Sequence, residues 1–172
     1  YCYLLFVDGR PVIIKQNRVG LHGKPFSMYK YRTMKNDSHT ERDALEQLNT
    51  HSGPLFKIDD DPRLLKGAKK LRRWSLDELP QFINVLKGDM SVVGPRPLFV
   101  EDSENFNREY LRRLNVLPGI TGLLQINERN TDDFDIWFKY DLQYLENWSI
   151  WLDIEIILKT PFSLFKKDIQ GK

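Results

Sequence analysis

Turn-forming pairs punctuate this chain at close intervals and leave little room for long elements. Asp8-Gly9, Gly53-Pro54 and Pro118-Gly119 each read as a turn or a stop, and Gly88 ends a short helical run, QFINVLKG. Between them the periodicities are brief. YLLFVDGRPVII reads as two strands joined at Asp8-Gly9. KPFSMYKYRTM reads as a further extended segment whose alternation puts Phe26, Met28, Lys30, Arg32 and Met34 on one face. Ser38 to Glu41, SHTE, is a capping box that opens a short helix. LLKGAKKLRRW carries Leu64, Ala68 and Leu71 on one helical stripe, with Lys66, Lys69, Lys70, Arg72 and Arg73 around it. Phe99, Phe106, Tyr110 and Leu114 recur at helical intervals, and NVLPGITGLLQI turns at Pro118-Gly119 into an extended piece. The one longer helix expected runs from Thr131 to Trp148. With no repeat, low-complexity tract or dividing linker in 172 residues, the expected architecture is α+β. It is a single compact domain of mostly short helices with a small β-hairpin or sheet, and amphipathic helices lie on its surface.

Composition removes several classes of function. The net charge of +2 points to no particular partner, and the single cysteine, Cys2, forbids an internal disulfide. His22, His39 and His51 are scattered without metal-ligand spacing, which argues against zinc. No apolar run approaches the roughly 20 residues that span a bilayer, and there is no secretory signal. The chain opens inside an apolar stretch without methionine, so its natural N-terminus is expected upstream. It has no GxxxxGK[ST] loop, GxGxxG turn or GxSxG elbow, which disfavours nucleotide handling by those routes.

Chemistry concentrates in RRWSLDELPQFINVLKGDMSVVGPRP, residues 72–97. Asp77 and Glu78 follow a basic run. If Asp77 is the N-cap, Pro80 falls in the first helical turn, where its missing N–H costs nothing, and both carboxylates meet the positive end of a helix dipole. Taken alone the pair reads as helix capping; its neighbours give it a second reading. Arg96 sits between Pro95 and Pro97, which restrict the backbone that presents it. Lys30 and Arg32 share a half-buried strand face, where two cations need an anion, either a phosphate or one of the protein's own acids. Asp141 lies at the centre of the apolar stripe Phe134, Trp137, Phe138, Tyr144, Leu145 and Trp148, and needs a cation or a hydrogen-bond network. Arg129 is the nearest candidate in sequence.

KPFSMYKYRTM, DDPRLLKGAKKLRRWSLDELPQFINVLKGDMSVVGPRP, LPGITGLLQINERN and YDLQYLENWSIWLDIEIILKT resemble, in order, successive blocks of the bacterial sugar transferases. These are the monotopic polyprenyl-phosphate phosphoglycosyl transferases. The resemblance covers about residues 9–160 and implies transfer of a sugar-1-phosphate from a UDP-sugar to polyprenyl (undecaprenyl) phosphate, with release of UMP, as the first membrane step of glycoconjugate assembly. It implies Asp77 as the nucleophile that holds a covalent phosphosugar, Glu78 as the residue that places Mg²⁺, and Arg96 and Arg129 as phosphate or nucleotide contacts. Lys30, Arg32 and Asp141 fall in matching blocks as further substrate or phosphate contacts. The implied partners are the inner-leaflet membrane surface and, beyond it, downstream glycosyltransferases or a second copy of the chain, with no nucleic acid. The implied place is the cytoplasmic face of the bacterial inner membrane, with the basic stripe at 66–73 and the aromatic, lysine-bearing tail at the interface. The family's N-terminal re-entrant helix is missing from residues 1–172, and FVDGRPVIIKQ stands where the family reads closer to Ser-Pro-Gly-Pro. A non-catalytic module of the same family that binds UDP-sugar or lipid is the alternative. Nothing in the sequence names the sugar.

Overall fold

The computed structural model describes residues 10–35, 62–100, 108–128, 131 and 133–165. The Asp8-Gly9 turn, the capping box at Ser38 and the Gly53-Pro54 stop all lie outside these residues.

Strand β1, Ile13–Val19, pairs antiparallel with β2, Pro25–Tyr31, in a register that sets Ile13 against Tyr31 and Val19 against Pro25. The hairpin closes through Leu21–Gly23, where His22 and Gly23 hold φ of 55° and 77°; a glycine takes the second without strain. The strand run beyond Ile14 is not apparent in the sequence because it is polar. Arg18 explains how such a strand packs: its guanidinium lies 3.4 Å from the Phe99 ring centroid and donates to the Pro97 carbonyl at 3.2 Å. Alternation in β2 buries Met28 and turns Lys30 the same way. The strand ends at Tyr31, one residue before Arg32, whose Nε donates to the Pro11 carbonyl at 2.8 Å and ties together the open ends of the hairpin.

The helix expected from Leu64 begins later. Gly67 adopts a left-handed φ of 83°, so helix α1 covers only Ala68–Arg73. Leu64 instead bridges to Met34, and the Leu65 N–H donates to Thr33 at 3.0 Å. After Ser75, also left-handed, a 3₁₀ segment Leu76–Gln81 leads into α2, Phe82–Lys87, which stops on Gly88 at φ 78°, as its sequence suggests. Asp77 therefore lies inside the 3₁₀ segment and does not cap a helix. Neither that segment nor α2 has a side-chain cap. Asn84, fully buried in α2, accepts from the Tyr29 N–H at 2.9 Å and donates to the Ser27 carbonyl at 2.8 Å, fastening β2 to α2.

Strand β3, Ser91–Val93, pairs parallel with β4, Gly119–Thr121. The extended piece expected after Pro118-Gly119 is thus three residues long, and α3, Leu123–Asn127, follows it at once. The two chains cross so tightly that a Cβ on Gly119 would lie 2.1 Å from the Gly94 nitrogen, and one on Gly94 would lie 2.4 Å from the Leu117 carbonyl oxygen. Only glycine fits at either position.

A second 3₁₀ segment, Tyr110–Asn115, precedes β4. Helix α4, Phe134–Asn147, is capped by Asp133, which accepts from the Asp135 N–H at 2.8 Å. Helix α5, Ile150–Ser163, is capped by Ser149, which accepts from the Leu152 N–H at 3.2 Å. Leu98, Leu124, Phe134 and Trp137 form one core cluster, and Val93, Ile126, Tyr144 and Ile156 form the other. Each such side chain contributes about 1.5–3 kcal/mol by leaving water. Helix α3 takes part in both clusters and so fixes α4 and α5 to the parallel strands. The α+β class with short helices and small sheets is what the sequence leads one to expect.

Candidate active site

Asp77 is 2% exposed, held where the 3₁₀ segment packs against β2. Its Oδ2 pairs with Lys30 Nζ at 2.8 Å. Its Oδ1 is buried and has no hydrogen-bond partner among the described residues. An unmatched buried acceptor costs about 1–3 kcal/mol, more when charged, so this oxygen gains from meeting a cation or a donor. Glu78 Oε1 accepts from Arg96 Nη2 at 2.8 Å. The sequence-derived candidates Lys30, Asp77, Glu78 and Arg96 are thus brought together.

Electrostatics binds these groups into one cluster. Burial pushes the Lys30 ammonium below its ordinary range, Asp77 opposes that, and the nearby Arg72 reinforces it. Glu78, with a smaller contribution from Asp77, holds Arg96 more firmly protonated than a free arginine. Lys30 and Arg96 therefore each hold one of the two carboxylates, with Arg72 close to Lys30, an arrangement suited to a diphosphate. Arg72 was expected on the basic stripe of a surface helix; here its Nε donates to Thr33 Oγ1 at 3.1 Å, on the side of Lys30.

Arg129 lies outside the described residues; among those residues a cation that meets Asp141 is Arg113. Arg113 Nη2 lies 2.9 Å from Asp141 Oδ2, and both side chains are almost fully buried. The same nitrogen donates to the Arg96 carbonyl at 2.7 Å. Asp141 thus stands one link behind Arg96, and Arg113 holds the loop that presents Arg96. Sequence gives no signal for Arg113, one of two adjacent arginines in YLRRLN. Asn84, a polar residue in the apolar QFINVLKG, had the same kind of signal as Asp141 and was missed.

Burial pushes the Asp141 carboxyl up from 3.8 to about 6, with Arg113 pulling the other way. Because the folded chain holds this proton more tightly than the unfolded chain, the stabilisation is complete below the unfolded pKa and is lost as pH rises through about 6. The stability of the wild type relative to Asp141→Asn is expected to fall by roughly 3 kcal/mol between about pH 3 and about pH 7.5. Urea denaturation at several pH values measures it; a difference independent of pH would rule it out.

Among the described residues no group of three or more His, Cys, Asp or Glu could hold a metal ion. The unpaired Asp77 oxygen and Glu78 still suit Mg²⁺, which commonly takes one or two carboxylates and completes its shell with water and substrate phosphates. Beside Glu78 opens a cleft of about 510 Å³ counting its mouth, walled by Leu79, Phe82, Ile120, Gln125 and Leu164 among others.

Residues 2–167 match the family model described as bacterial sugar transferase. The chain belongs to the bacterial sugar transferase family. This family member is 52% identical over 154 residues to the galactosyl transferase CpsE of Streptococcus agalactiae serotype III (strain NEM316), covering 89% of this chain and 34% of that protein. It is 45% identical over 152 residues to the uncharacterized sugar transferase EpsL of Bacillus subtilis (strain 168), covering 88% and 69%. It is 44% identical over 163 residues to the UDP-glucose:undecaprenyl-phosphate glucose-1-phosphate transferase of Escherichia coli (strain K12), covering 90% and 33%. The family member thus spans about a third of the length of the first and last of these relatives.

Proposed function

We propose that this chain carries the catalytic machinery of a phosphoglycosyl transferase that moves a sugar-1-phosphate from a UDP-sugar to a polyprenyl phosphate. The observation that carries this reading is the unpaired, buried Oδ1 of Asp77, on a carboxylate already paired with Lys30 and adjacent in sequence to the Glu78–Arg96 pair. The name of the Escherichia coli relative supports the choice of donor and acceptor.

In the first step an Asp77 oxygen attacks the β-phosphorus. A carboxylate–phosphorus bond forms, the bond from that phosphorus to the bridging oxygen breaks, and UMP leaves with the electron pair. In the second step an oxygen of the polyprenyl phosphate attacks the same phosphorus, and the bond to Asp77 breaks and restores the carboxylate. Lys30 leaves Asp77 for the phosphoryl oxygens during attack, and Arg96 holds the charge of the diphosphate. Mg²⁺, held by Glu78 with the substrate, would neutralise further charge on the diphosphate. Measuring UMP across a panel of UDP-sugars, with lipid acceptor and the full-length protein, tests the reading. UMP from at least one sugar is expected; saturable UDP-sugar binding with no UMP would instead favour a binding module.

The acceptor is a lipid, and the surface beside the site suits a bilayer. No helix among the described residues is long and apolar enough to cross a membrane. Helix α5 instead turns Ile150, Trp151, Leu158 and Phe162 outward, and Leu86 of α2 is 89% exposed. Trp74 at the end of α1 packs edge-on against Phe165 at 5.4 Å, joining the basic helix to this apolar face. The face would sink into the headgroup region with the lysines and arginines of α1 at its border. Trp151→Glu and Phe162→Glu are each expected to weaken binding to anionic vesicles by roughly tenfold or more, the effect of withdrawing one large apolar side chain. Vesicle sedimentation measures this, and unchanged partitioning of both would exclude the face.

A further inference from the structure

The cleft beside Glu78 lies between the first 3₁₀ segment with the start of α2 on one side and the end of α5 on the other, with β4 and α3 between them. Its hydroxyls are already engaged. Thr160 Oγ1 donates to the Ile156 carbonyl at 2.7 Å, which leaves the Thr121 hydroxyl, 2.7 Å from Thr160 Oγ1, as the donor to it. Ser163 donates to the Thr160 carbonyl at 2.8 Å. Gln125 differs: it is 8% exposed, and its Nε2 is buried without a hydrogen-bond partner among the described residues. The wall residues Leu79, Phe82, Ile120 and Leu164 are apolar. Leu79 and Phe82 are each about half exposed, so the cleft wall runs out onto the apolar face.

We propose that this cleft seats the phosphate-proximal isoprene units of the acceptor lipid, with the Gln125 amide donating to an oxygen of the acceptor phosphate. The inference rests on the transferase reading above and adds the place where the second substrate docks. A nucleobase or a sugar ring would lose hydrogen bonds with water against Leu79, Phe82, Ile120 and Leu164 and recover few. A prenyl chain loses none, and its outer units continue directly onto a bilayer surface. Glu78, which is paired to Arg96, lines the same cleft, so a phosphate there would lie beside the Asp77–Glu78 pair.

The two half-reactions separate this placement from its rivals. With the full-length protein in detergent micelles, adduct formation on Asp77 is followed from UDP-sugar alone, and discharge is then started with undecaprenyl phosphate. In Leu164→Trp, which fills the cleft, and in Gln125→Leu, discharge is expected to slow about tenfold more than adduct formation, with a raised KM for the lipid. Adduct formation in the same variants reports an intact fold. Equal slowing of both steps, or slowing confined to adduct formation, would overturn the placement, the latter assigning the cleft to the donor. If the wild type forms no adduct, the transferase reading fails separately, and direct binding of a fluorescent prenyl phosphate decides the cleft. Affinity unaltered in both variants would overturn it.

Discussion

Asp77→Asn is expected to abolish the proposed covalent phosphosugar adduct and to lower UMP release by at least about 10³-fold, the scale that follows when a nucleophile is removed from an otherwise intact site. The substitution keeps the shape of the side chain and removes its charge, so a loss this large is chemical in origin. It also leaves the Lys30 ammonium without its partner at 2.8 Å. Burial already lowers the affinity of Lys30 for its proton, and without Asp77 that affinity falls further. Intact mass after incubation with UDP-sugar is the decisive reading. An adduct of one phosphosugar retained in Asp77→Asn would place the covalent bond on another residue and remove the basis of the mechanism.

The second large effect is on stability. Arg113→Met is expected to cost about 3–5 kcal/mol near pH 7.5, because it strands the Asp141 carboxylate in a site from which water is excluded. The loss shrinks near pH 5. There the carboxyl, already raised to about 6 with Arg113 present, takes up a proton and no longer needs a cation. The double variant Arg113→Met/Asp141→Leu is expected to regain most of the stability, since a well-packed apolar pair can replace a buried ion pair at little cost. Its activity is expected to stay low, because the Arg96 carbonyl has lost the donor that held it at 2.7 Å. Urea denaturation together with UMP release separates the two effects. A single variant within about 1 kcal/mol of wild type would show that the pair is not structural.

Much of this site could be read from residue order because its parts are local. The adjacent Asp77 and Glu78, the proline-bracketed Arg96 and the place of Asp141 on an apolar helix face follow from residue order and periodicity, while the chemical reading of the two carboxylates comes from the resemblance to the sugar transferases. What could not be read is which groups meet. Proximity in sequence offers Arg129 to Asp141, and Arg129 lies outside the described residues; Arg113, which reaches Asp141 from the 3₁₀ segment Tyr110–Asn115, carries no sequence signal that would have named it. The capping role of Asp77 failed because Ser75 turns left-handed and starts a 3₁₀ segment, a backbone choice with no mark in side-chain pattern. In β1, polar residues pack through a cation on an aromatic ring, so alternation of apolar residues could not reveal the strand. Gly67, in turn, cut short a helix whose stripe looked continuous.

The crossing at Gly94 and Gly119 has a mechanical consequence. Two main chains meet there with no side chain between them, and the Gly119 N–H donates to the Pro95 carbonyl at 2.9 Å. The segment that carries Arg96 and the segment that leads into α3 are therefore held together along the β3–β4 pair, most closely at these two glycines. In the proposed transferase, a shift of the Arg96 segment would therefore carry with it the strand that leads to Gln125, and release of the donor nucleotide would be geared to entry of the lipid.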